Sequence, residues 1–170
     1  MKVFLHNKDI IDVTQADTIV LPVDGSAPDM EGNVARRFLR LVELDSMDDL
    51  YAPPPSFPFN GRCHWSDIEG EFPETHFHYI CALGILSHLP DVDHRAMMRS
   101  ALYQMFEEAE NGRMGTRFAC PVLSAGWRLK AIDALYIMLA EAERFNTDKL
   151  ELHIAERDKS RYDMFRTSIS

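Results

Sequence analysis

Two hydrophobic periods alternate along this chain. Short runs rich in β-branched and aromatic residues at 2–5 (K-V-F-L), 18–23 (T-I-V-L-P-V), 77–83 (F-H-Y-I-C-A-L), 116–121 (T-R-F-A-C-P) and 150–155 (L-E-L-H-I-A) predict strands. Between them the spacing changes to that of helices. Val34, Phe38, Leu41 and Val42 share one face over 33–44. Met97, Met98, Ala101, Leu102, Met105, Phe106 and Ala109 form the stripe of a longer helix over 93–111, with Asp93 as N-cap and Gly112 as its stop. A third amphipathic helix is predicted over 128–145 and a short closing one over 160–165. Strands alternating with helices through short connections predict an α/β fold, a largely parallel sheet with helices on both faces.

Three stretches stand outside that alternation. Residues 6–16 read as a polar connection carrying Asp9 and Asp12. In 45–60, Pro53, Pro54, Pro55 and Pro58 forbid regular structure, so the segment is a surface excursion or a lid. Residues 61–75 carry no clear period. His76 and His78 are placed on one side of the strand that follows. In a parallel sheet ligands sit beyond the carboxyl ends of strands. Two strand-to-helix turns there draw attention, 24–33 and 124–127. A strand, a Gly-containing polar loop and a helix together point free N–H groups at an anion.

Composition narrows the classes. The 170 residues are expected to fold as one domain, 1–170, with the 45–60 loop inside it. No run approaches the ~18 apolar residues of a membrane span, and the start lacks a signal peptide's apolar core. The expected location is therefore the cytoplasm. A net charge of −9 argues against duplex nucleic acid and anionic membranes as partners, yet leaves room for a small anionic ligand held by backbone N–H groups. Cys63, Cys81 and Cys120 are too few for a disulfide framework, and the latter two lie in strand-like runs as buried thiols. There is no H-E-x-x-H or paired C-x-x-C, so neither a metal nor any other cofactor is expected.

Taken in order, several motifs resemble the macro domain family, which binds ADP-ribose. K-D-I-I at 8–11 is similar to the family's Gly-Asp-Ile-Thr turn, and D-T-I-V at 17–20 to its Asp-Ala-Ile-Val strand. G-N-V-A at 32–35 resembles the end of its phosphate loop. F-A-C-P-V-L-S-A-G-W at 118–127 looks like its strand and diphosphate turn, and L-H-I-A-E-R-D falls where its last strand leads to the adenine side. The resemblance covers almost the whole chain and implies a three-layer α/β/α sandwich with a mixed, largely parallel sheet. It implies that Asp9, with Ile10 beside it, meets the adenine amine, with Asp12 the alternative. Gly32, Asn33 and Val34 would offer N–H groups to the diphosphate and distal ribose. Ser124, Ala125, Gly126 and Trp127 would close from the other side.

The departures from the pattern bear on chemistry. The family's Asn-Ala-Ala-Asn is Leu21-Pro22-Val23-Asp24 here, so a carboxylate stands where an amide orients the distal ribose. Asp24 is then the one candidate general base, or else closes a turn with Ser26. Ala35 occupies the position after the loop valine, and only Gly32 survives of the glycine run. Asp24, Asp29 and Glu31 would repel a diphosphate unless Arg36, Arg37 or Arg128 offsets them. The expected function is binding of ADP-ribose or a related nucleotide, with an ADP-ribosylated protein as a further implied partner. The alternatives are a hydrolase of ADP-ribose derivatives using Asp24, and a degenerate domain that works through protein contacts.

Overall fold

The computed structural model describes residues 1–87, 91–124 and 128–169. Among them are six strands, β1 (Lys2–His6), β2 (Thr18–Asp24), β3 (Cys63–Asp67), β4 (Tyr79–Leu86), β5 (Arg117–Pro121) and β6 (Glu151–Ala155). The helices are α1 (Asn33–Leu41), α2 (His94–Glu110), α3 (Ala131–Glu143) and α4 (Lys159–Ile169). The strands form one sheet in the order β1-β6-β5-β2-β4-β3, parallel throughout except for β3, which pairs antiparallel with β4.

The central strands read as continuous apolar runs because both of their faces are covered. Val20, Cys81, Leu83, Ile85, Phe118, Cys120, Leu152 and Ile154 point to one side, where α2, α3 and Phe165 of α4 bury them. Ile19, Leu21, Val23, Ile80, Ala82 and Ala119 point to the other, under Ala35 and Phe38 of α1 and the chain around Met47–Leu50. Each fully buried Ile, Leu or Phe adds about 1.5–3 kcal/mol relative to exposure. This is a three-layer α/β/α sandwich. Burial pushes the thiols of Cys81 and Cys120 far above their ordinary range, so both are inert packing groups.

Several elements differ from the sequence prediction. β3 lies in the stretch that showed no period. Its C-H-W-S-D is a short edge strand of mixed polarity, and only pairing to β4 gives it order. β4 starts at Tyr79 and runs to Leu86. His76 and His78 precede it: the ring of His76 bonds the Val13 carbonyl oxygen at 2.8 Å, and His78 stands 3.8 Å from Glu69. They share no strand face. Within 6–16, Ile10–Asp12 forms a 3-10 turn capped by the Asp9 carboxylate, which accepts from the Ile11 N–H at 3.2 Å. α1 ends at Leu41, short of the predicted 44, and α4 extends to Ile169.

The proline segment is tied down by backbone bonds. Phe59 N–H donates to the Gly25 carbonyl at 2.8 Å and Gly61 N–H to that of Gly84 at 2.7 Å. A side chain at Gly84 would collide with the Phe59 carbonyl oxygen, so glycine is what lets the segment lie against β4.

Candidate functional site

A cleft of about 450 Å³ opens beyond the carboxyl ends of the parallel strands. Its floor is Pro22 at the end of β2, Leu86 of β4, Pro121 to Leu123 after β5, and Ala155 of β6. These are the ends where α/β sheets hold ligands.

One wall is the start of α1. The loop before it is pinned by Asp24 N–H to the Glu31 carbonyl at 2.9 Å and Met30 N–H to that of Ala27 at 3.1 Å. Met30 adopts φ 46°, a left-handed conformation unusual for a residue with a side chain, and is held there by complete burial. Gly32 follows as the N-cap, where a Cβ would collide with the Pro22 carbonyl oxygen. Glycine at 32 therefore lets the helix start lie directly over β2. No side chain caps α1, and its first internal bond runs from Arg36 N–H to Gly32 at 2.9 Å. Asn33 and Val34 line the cleft, and among the described residues their N–H groups have no acceptor. They carry the positive end of the helix dipole. Ser124 lines the cleft as well, from the β5 side.

The other end is charged. Lys8 and Asp9 follow β1, Glu156 and Arg157 follow β6, and Arg161 stands in the first turns of α4. Arg37 of α1 reaches across to bond and pair with Asp9. Arg157 stands 3.9 Å from the same carboxylate, and Arg161 pairs with Glu156 at 3.1 Å. Beside this cluster the ring nitrogens of His6 and His153 meet at 2.8 Å. Burial, then electrostatic repulsion from His153 and Lys8, pushes the His6 imidazole below its ordinary value.

Of the residues singled out in the sequence, Asp9, Ile10, Asn33, Val34 and Ser124 line this one cleft. Gly32 is not itself a lining residue and acts by placing its two successors. Asp12 sits in the 3-10 turn and does not line the cleft. Asp24 does not line it either: its Oδ1 accepts from Ser26 N–H at 2.9 Å and from Ser26 Oγ–H at 2.6 Å, closing a turn. Ala125, Gly126 and Trp127 lie outside the described residues. The acidic crowd also moves away, since Asp29 and Glu31 are exposed and border no part of the cleft. Of the offsetting arginines considered, Arg37 lines the cleft, while Arg36 bonds Asn33 Oδ1 at 2.8 Å. Pro53, Pro54, Pro55 and Pro58 do not border this cleft. Lys8, Glu156, Arg157 and Arg161 were missed as site residues. Polar residues just after two apolar strands were the available signal.

No family model and no curated protein matches the sequence of this chain. Solved structures match its fold. The macrodomain of Thermus aquaticus DarG aligns with a TM-score of 0.67 at 16% identity, over 91% of this chain and 97% of that one. An Oceanobacillus iheyensis macrodomain with ADP aligns at 0.69 and 15% identity, over 97% and 88%. An alphavirus P23pro-zbd protein aligns at 0.72 and 12% identity over 98% of this chain, which spans only 23% of that protein. At such identities what is shared is architecture, and with the sheet order and the helix layers described above it establishes that this chain has the macrodomain fold.

Proposed function

We propose that the cleft binds ADP-ribose or a closely related nucleotide, with residues 1–170 acting as one domain. The diphosphate lies between the Asn33 and Val34 N–H groups and the Ser124 turn. The observation that carries this reading is the uncapped start of α1 opening into a cleft at the strand ends. Backbone donors at a helix N-terminus favour a phosphate without any lysine nearby. The Oceanobacillus iheyensis structure with ADP, which shares the fold, supports the same ligand class.

Thermal shift with ADP-ribose, ADP and adenosine tests it. At ~100 times the dissociation constant a ligand adds about 2.7 kcal/mol, a rise of roughly 5–10 °C for a domain this size. ADP-ribose should give that rise and adenosine little. No shift with any of them removes the reading and returns attention to a domain that works through protein contacts.

Binding is preferred to hydrolysis because the Asp24 carboxylate is engaged with Ser26 in a turn. Asp24→Ala is expected to change ADP-ribose affinity less than about threefold and to cost about 0.5–1.5 kcal/mol, the value of a lost turn hydrogen bond. Turnover of an ADP-ribosylated protein by the wild type and its loss in this variant would establish the hydrolase instead.

A further inference from the structure

The cleft of this acidic protein is bordered by cations. Lys8, Arg37, Arg157 and Arg161 face it together with only two carboxylates, Asp9 and Glu156, although the whole chain carries −9. All six gather at the β1/β6 end. β6 lies two strands from β2 in the sheet. With neighbouring strands about 4.8 Å apart, the cluster stands roughly 10 Å from the strand end over which α1 begins.

Both carboxylates hold neighbouring donors. Asp9 Oδ1 caps the 3-10 turn through Ile11 N–H at 3.2 Å, and Oδ2 is taken by Arg37, with Arg157 at 3.9 Å. Glu156 Oε1 accepts from Asp158 N–H at 2.9 Å and holds Arg161 at 3.1 Å. What this end offers a ligand is N–H donors bearing positive charge, oriented by the two acids they exceed in number. Guanidinium groups present planar, paired donors that match phosphate oxygens.

We propose that the Lys8, Arg37, Arg157 and Arg161 cluster is a second anion subsite, for a phosphate monoester on the ribose of the bound nucleoside. The ligand class is then an ADP-ribose-type nucleotide phosphorylated at the 2′ or 3′ hydroxyl of its adenosine. The assignment rests on the nucleotide reading above. In it the diphosphate sits on backbone donors at α1 and the monoester on side chains across the ribose. The two anions of one ligand span the gap between the two ends of the cleft.

Isothermal titration with ADP-ribose, its 2′-phosphate and its 3′-phosphate tests the subsite in the wild type and in the double variant Arg157→Gln, Arg161→Gln. Both side chains are more than half exposed, at 65% and 57%, so the variant keeps the fold, which a thermal melt checks. One phosphorylated isomer should bind the wild type about tenfold or more tighter than ADP-ribose, the gain of charge-assisted hydrogen bonds. That advantage should shrink as salt rises through ~0.15 M, where the screening length is about 8 Å. In the variant the ratio should fall to within about twofold. Equal affinity of the three ligands for the wild type overturns the subsite and leaves the nucleotide reading standing. A preference that survives in the double variant overturns the assignment to these arginines. No binding of any of the three removes both proposals.

Discussion

At the β2/β4 end of the cleft the donors are the backbone N–H groups of Asn33 and Val34, whereas at the β1/β6 end they are the side chains of Lys8, Arg37, Arg157 and Arg161. The first set is fixed once α1 is seated, because its positions follow from helix geometry and from Gly32 touching β2. The second set depends on ion pairs between partly exposed side chains, which are worth less and are screened by salt. Backbone donors therefore provide a rigid seat common to many anions, while side-chain donors are where discrimination between related ligands is adjustable. A ligand that uses both ends experiences one end as geometry and the other as charge.

Breaking the seat should have the largest effect. Phe38, fully buried beneath α1, anchors the helix in the core. Phe38→Ala should lower stability by about 3–5 kcal/mol, read as a fall in the urea midpoint. Gly32→Ala is more selective: the new Cβ meets the Pro22 carbonyl oxygen and must lift the start of α1. About 1–3 kcal/mol of stability should be lost to overpacking. ADP-ribose affinity should drop about tenfold or more, equivalent to ~1.4 kcal/mol. An alanine variant that binds normally would show that the backbone end is not the phosphate seat.

The charged end is tested more gently. A double-mutant cycle of Arg37→Gln and Asp9→Asn should return a coupling of about 1–2 kcal/mol in chemical denaturation, since the pair is three-quarters buried on each side. A coupling near zero would mean that this end is held by solvent-screened contacts alone. The smallest effect is expected from His6. Its imidazole is held below the usual 6.5, first by burial and then by His153 and Lys8. As pH falls below 6.5 the unfolded chain takes up this proton before the folded one does, so stability is present above that pH and is lost beneath it. The wild type should lose more stability than His6→Gln when the pH of a denaturation series moves from about 7.5 to about 5.5, on either side of the ordinary histidine value.

How far the site could be read beforehand follows the same division. The loop at 24–33 stood out because turn formers and Gly32 interrupt two strongly periodic segments, and Asn33 and Val34 do line the cleft. Met30 at positive φ gave no sign, since nothing in a methionine announces that conformation. For Asp24 the residues left a base and a turn with Ser26 both open, and the structure shows the two bonds of the turn. The acidic loop looked hostile to an anion as long as sequence neighbours stood in for spatial ones.

What the sequence determined alone is the alternation of buried strands and amphipathic helices. Period and burial are local properties, so β2, β4, β5, β6 and α2 could be read from their own residues. The edge strand β3 could not, because its C-H-W-S-D becomes a strand only by pairing with β4. The charged end of the cleft was equally out of reach. Lys8, Arg37 and the Arg157–Arg161 stretch come from three separate parts of the chain. They meet because the sheet order β1-β6-β5-β2 brings the first and last strands side by side and lets α1 reach across to Asp9. Strand order is set by long-range packing of two apolar faces, and no local pattern carries it.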